Sequence, residues 1–95
     1  MVVKEIKIKN RAGLQSKMAA VFIQKASSFK SKIWVEKNER KANAKSLLGL
    51  LSLGINEGSQ VSIIADGEDE GMAVEELEGY LSTKVIEDTS EEAIK

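Results

Sequence analysis

Apolar and polar residues alternate over 2–9, where Val2, Ile6 and Ile8 fall on one side and Lys7 and Lys9 on the other. This is a strand pattern, and Lys4 is the residue that breaks it. From Lys17 to Ser28 the spacing lengthens: Ala19, Phe22, Ile23 and Ala26 recur at helical intervals, and Ser16 is a good cap residue just before them. The alternation returns over 32–37, with Ile33 and Val35 facing in and Trp34 facing out. Asn38-Glu39 then reads as a hairpin turn into a short strand over 40–43. Ser46 opens a leucine-rich helix over 47–53 that Gly54 closes. A β-branched run over 60–66 predicts the last strand. The acids after Gly67 suit the start of a helix over 70–84, with Ala73, Leu77, Tyr80 and Leu81 as its buried stripe.

The predicted order is βαββαβα. Strands that alternate inward and outward residues need one covered face. A four-stranded antiparallel sheet with three helices on a single face, an α+β open-faced sandwich, meets that need. Residues expected inside are Ile6, Ile8, Phe22, Ile23, Ala26, Ile33, Val35, Leu50, Ile63, Leu77 and Leu81. With 95 residues the chain is read as one domain over 1–86 and a polar tail over 87–95 that is expected to be mobile.

Charge adds an asymmetry that the net value of −1 hides. Residues 1–45 carry +9 and residues 46–95 carry −10. Two halves that offset each other in one compact fold explain this most simply, and a basic face that steers an acidic partner or a phosphate is the sharper alternative. No cysteine is present, which excludes disulfides and thiolate metal sites. The longest apolar run, Met18 to Ile23, is too short to span a bilayer, and Lys4, Lys7 and Lys9 interrupt any signal-peptide core. A cytoplasmic, metal-free, cofactor-free domain is the expectation. Asp66-Gly67-Glu68-Asp69-Glu70 lacks the ligand spacing of a calcium loop. Phosphate-binding glycine loops and nucleophile elbows are missing, and the basic half lacks the aromatic platforms that stack nucleic-acid bases. Neither a membrane nor direct nucleic-acid binding is expected.

Two segments carry more information: Asn-Arg-Ala-Gly-Leu-Gln-Ser-Lys-Met-Ala-Ala at 10–20 and Lys-Ala-Asn-Ala-Lys-Ser-Leu-Leu-Gly-Leu at 41–50. They resemble the two functional segments of HPr, the small phosphocarrier of the bacterial sugar phosphotransferase system. The resemblance runs from about Val2 to Leu81 without a gap and implies the HPr-like fold. In that family the first segment carries the phosphoryl-accepting histidine. Gln15 stands there, and the chain contains no histidine. Phosphoryl transfer through that position needs a neutral, nucleophilic nitrogen. An amide nitrogen gives its lone pair to the carbonyl, so Gln15 cannot be the carrier. Ser16, Lys17 and Met18 also depart from the family's usual Ala or Thr, Arg and Pro. Lys17 keeps the charge but not the planar fork. Gln15 is the residue that distinguishes the HPr-like regulators of the Crh subgroup, which the chain resembles on that position.

The second segment matches the one that HPr kinase/phosphorylase modifies on serine, which makes Ser46 the regulatory candidate among ten serines. A phosphate at a helix cap faces free N–H groups and the positive end of the helix dipole. Five leucines crowd positions 47–53, and barely two turns cannot bury them all. By family analogy Leu47, Leu48 and Leu51 are exposed, and Leu50 and Leu53 are inside. The resemblance thus implies a non-enzymatic regulator of carbon catabolite repression. Phosphorylated at Ser46, it acts as corepressor of a LacI-type catabolite control repressor through Leu47, Leu48, Leu51, Gln15, Ser16 and Lys17. The alternative is a phosphorylation-independent module that modulates a metabolic enzyme or a phosphotransferase component. The leucine cluster also leaves burial in a homodimer open.

Overall fold

The computed structural model describes residues 1–9, 14 and 16–82, with Ser16 described by its backbone alone. The elements follow the expected order: β1 Val2–Lys7, α1 Ser16–Ser27, β2 Lys32–Lys37, β3 Arg40–Asn43, α2 Leu47–Ser52, β4 Gln60–Asp66 and α3 Glu70–Ser82. The four strands form one sheet in the order β1-β4-β2-β3, and every neighbouring pair is antiparallel. Three helices cover one face of it. α3 packs on β1 and β4, α2 packs on β3, and α1 lies between the other two helices.

Alternation decides which residues fill the space between the layers. Ile33 and Val35 on β2, Val61, Ile63 and Ala65 on β4, and Ala42 on β3 face the helices and are buried. From the helices come Met18, Ala19, Phe22 and Ala26 of α1, Leu50 of α2, and Ala73, Val74, Leu77 and Leu81 of α3. Every residue expected inside is buried except Ile23, which packs on the core from its rim, as does Tyr80. The α1 stripe keeps Ala19, Phe22 and Ala26 and takes Met18 in place of Ile23. A thioether on an unbranched chain fills such irregular gaps well, and Tyr80 donates its hydroxyl to the sulfur at 3.2 Å.

Lys4 shows what its break in the alternation is for. It lies in the inner row Lys4–Ile63–Val35–Ala42 that crosses all four strands. Because β1 is an edge strand, the lysine escapes burial and meets Glu78 of α3 at 3.8 Å. The strand expected over 2–9 stops at Lys7, since its partner β4 begins only at Gln60. Beyond that point Ile8 bonds to the preceding turn, donating to the Ser59 carbonyl and accepting from Gly58 N–H, both at 2.8 Å.

Asn38 and Glu39 form the expected hairpin turn with φ of 50° and 68°, the left-handed pair that a two-residue turn between twisted strands requires. On the open face, Trp34 is half-buried, and Lys41 lies 5.6 Å from the centroid of its ring. Among the described residues the cations do not share one face, since Lys4 stands in the inner row and Lys41 on the open side. Lys4, Lys25 and Lys30 pair with Glu78, Glu76 and Glu68, so part of the charge asymmetry is the two halves meeting across the fold. The tail over 87–95 lies outside the described residues.

Candidate functional site

α2 is the centre of the candidate site, and its boundaries are set by local hydrogen bonds. Asn43 turns the chain out of β3: its carbonyl accepts from Ser46 N–H at 3.0 Å and its side-chain oxygen from Lys45 N–H at 2.8 Å. Ser46 follows in an extended conformation, φ −118° and ψ 118°, and its hydroxyl oxygen accepts from Gly49 N–H at 3.2 Å. That is an N-cap, as the sequence implied. At the other end Leu53 and Gly54 return their N–H groups to the carbonyls of Leu50 and Leu51. Gly54 takes φ 63°, the left-handed turn that ends helices on glycine.

Gly49 serves this cap by what it lacks. A Cβ there would come within 3.3 Å of the Ser46 Oγ and 3.4 Å of the Ala42 Cβ. A side chain would crowd both the cap and the strand beneath it. Glycine in a helix interior costs roughly 0.5–1 kcal/mol relative to alanine, and the close approach accounts for its presence.

The leucines divide as the resemblance implied. Leu50 and Leu53 point into the core, while Leu47, Leu48 and Leu51 are 43%, 80% and 39% exposed. Ser46 is half-buried at the head of this array. The helix therefore presents a hydroxyl oxygen and three apolar side chains on one surface.

Lys45 does not point toward Ser46. Its Nζ donates to the carbonyls of Phe29 and Ser31, each at 3.0 Å, and so ties the start of α2 to the loop after α1. Nothing in the sequence signals this, because both acceptors are backbone atoms distant along the chain. Lys37 Nζ and Arg40 Nη2 likewise reach carbonyls at the far end of α2.

Of the first segment, Lys17 is exposed in the first turn of α1, and α1 packs beside α2. Leu14 is fully buried, and its N–H donates to the Ile55 carbonyl at 3.0 Å, which joins the entry to α1 with the exit from α2. Ser16 is the first helical residue, one position later than the cap role expected of it; its side chain and the whole of Gln15 lie outside the described residues. α1, which begins inside the first segment, packs beside α2, which begins inside the second.

A second polar cluster stands at the start of α3 and is structural. Asp69 accepts from the Ser31 hydroxyl and from the N–H groups of Lys30 and Ser31 at 2.8 and 3.0 Å. These bonds, the Ser31 hydroxyl first, hold its carboxyl below the usual aspartate range. Glu70 accepts from Gly67 N–H at 3.0 Å and pairs with the N-terminal ammonium at 3.2 Å, which lowers its pKa too. The acids expected at a helix start are there, and Asp69 additionally binds the loop after α1.

Comparison with known proteins agrees with this arrangement. The family model described as "PTS HPr component phosphorylation site" matches residues 2–83. The HPr-like protein Crh of Bacillus subtilis (strain 168) is 42% identical over 85 residues, 90% of this chain and 100% of that protein. The structure of the phosphocarrier protein HPr from Bacillus anthracis str. Ames superposes with a TM-score of 0.84 at 38% identity, covering 85% of this chain and 96% of that one. Selenomethionyl Crh of Bacillus subtilis, a dimer with a swapped domain, gives a TM-score of 0.69 at 43% identity, covering 85% and 93%. The chain belongs to the HPr family of the phosphotransferase system, and within it resembles the Crh subgroup.

Proposed function

We propose that this protein is a Crh-type regulator of carbon catabolite repression, cytoplasmic and not itself an enzyme. A bifunctional HPr kinase/phosphorylase modifies Ser46: the hydroxyl oxygen takes the γ-phosphoryl group of ATP, its proton leaves, and ADP is released. The phosphorylated form binds a LacI-type catabolite control repressor as corepressor. Leu47, Leu48 and Leu51 supply the apolar contact, and Gln15, Ser16 and Lys17 contribute to the same interface.

The observation that carries this reading is the placement of Ser46 at the head of a helix whose Leu47, Leu48 and Leu51 face solvent. A phosphate there adds a dianion beside an apolar patch. The partner then gains charge-assisted hydrogen bonds that a neutral hydroxyl cannot give. Gln15 in place of histidine removes phosphocarrier chemistry, and the regulatory role is the one this reading keeps.

A second reading rests on the same leucines, which are exposed without any phosphate. It makes the protein a phosphorylation-independent module that binds a metabolic enzyme, a phosphotransferase component or a second copy of itself. Treatment with the kinase and ATP separates the two. The first reading expects one added phosphate, lost in Ser46→Ala, and repressor binding only after modification. Equal binding by the unmodified protein would establish the second reading instead.

A further inference from the structure

α2 has six residues, too few to persist as a helix without support from outside. Two kinds of support are the Ser46 cap and the burial of Leu50 and Leu53. A third kind comes from three cations. Lys45 lies immediately before the cap, and its ammonium spans the Phe29 and Ser31 carbonyls. Lys37 donates to the Gly54 carbonyl, and Arg40 donates to the Ser52 carbonyl at 3.3 Å.

The two C-terminal donors are placed by the hairpin. Lys37 and Arg40 are register partners at the closing end of β2 and β3. Each stands two residues from an inward residue, Val35 or Ala42, so both emerge on the helix side of the sheet. The left-handed pair Asn38 and Glu39 closes the turn in two residues and keeps the donors side by side. Carbonyls at the end of a helix lack intrahelical partners, and positive charge is favoured there. The hairpin supplies two donors and two charges at that end.

We propose that Lys37, Arg40 and Lys45 are positioning residues that pin α2 at both ends and thereby set the orientation of the Leu47, Leu48 and Leu51 array. Each keeps its charge, but its donor is engaged by backbone carbonyls. The consequence for recognition rests on the proposed function; the mechanical claim does not.

Native-state amide exchange of the whole chain, followed by NMR, tests the mechanical claim. Methionine keeps most of the apolar stem and removes the donor. In Lys37→Met/Arg40→Met the amides of Leu53 and Gly54 should exchange about tenfold faster, while those of Val61 and Ile63 in β4 are unchanged. In Lys45→Met the faster amides should be Ser46 and Leu50. Lys37→Arg, which keeps a donor and a charge, should restore protection. Unchanged α2 exchange, or equal acceleration in α2 and β4, would overturn the proposal. Steady-state phosphorylation with HPr kinase/phosphorylase and ATP tests the link to recognition: Lys45→Met and the double variant should raise KM severalfold with kcat kept. If the wild-type protein is not phosphorylated at all, the proposed function falls, while the exchange result still decides the positioning role.

Discussion

A Cβ on Gly67 would lie 2.6 Å from the Cα of Ser31. The turn into α3 therefore touches the backbone of the loop after α1, and the Ser31–Asp69 hydrogen bonds form beside that contact. Ser31 is fully buried, and its N–H, hydroxyl and carbonyl are all hydrogen-bonded.

Gly67→Ala should destabilise the protein by about 1–3 kcal/mol, the usual cost of forcing an extra methyl into a filled space. The obstructing atoms include backbone, so no side-chain rotation can relieve the contact. Urea unfolding measures it. A change within a few tenths of a kcal/mol would mean that the two loops separate readily.

Acid should weaken the same region. The Asp69 and Glu70 carboxyls are held below their ordinary values of 3.8 and 4.5. A lowered folded-state pKa contributes stability that is complete above the unfolded value and is lost as pH falls through the folded one. Asp69→Asn/Glu70→Gln should therefore be less stable than wild type at neutral pH. Its deficit should shrink as pH drops below about 4.5. Thermal unfolding across that range checks the sign, and a deficit independent of pH would contradict it.

Neighbouring leucines on α2 should respond in opposite ways. Leu50→Ala removes a fully buried side chain and should cost about 2–5 kcal/mol. Leu48→Ala alters a side chain that is mostly in water and should change stability by less than about 0.5 kcal/mol. If Leu48 contacts the repressor, its truncation weakens binding of the phosphorylated protein with the fold intact. Isothermal titration of both variants separates folding from recognition.

Phosphoenolpyruvate and enzyme I should leave the protein unmodified, since Gln15 has no nucleophilic nitrogen and the chain has no histidine. Acid-labile phosphate above background would refute this. Gln15→His should restore only weak acceptance, because Lys17 and Met18 also differ from the phosphocarrier pattern.

The pattern of the chain revealed those features that depend on near neighbours. Ile33 and Val35 gave away β2, Asn38-Glu39 gave away its turn, and the leucines left no room for all five inside. Family resemblance, not periodicity, sorted Leu50 and Leu53 from the exposed three. Hidden from both were relations set by packing. Lys4 looks misplaced until Glu78 stands opposite it across the layers. Ile23 has the right spacing for the core, yet Met18 takes the deeper place. Lys45 precedes the candidate serine in sequence while its ammonium serves carbonyls at 29 and 31. Asp69 reads as a helix-start acid, but its carboxylate bonds to a loop more than thirty residues earlier.

Lys4 has one more consequence. Among the described residues β1 pairs with β4 on one side only, which leaves a row of backbone donors and acceptors at the sheet margin. Such a margin is a template on which strands of other molecules can stack into fibres. The lysine stands on the core side of that margin, where it is tolerated because its ammonium still reaches water. A foreign strand docked there, with its own covering layer, would trap that charge in a dry seam. The residue that spoils the pattern of the first strand thus makes this margin a poor template for a further strand.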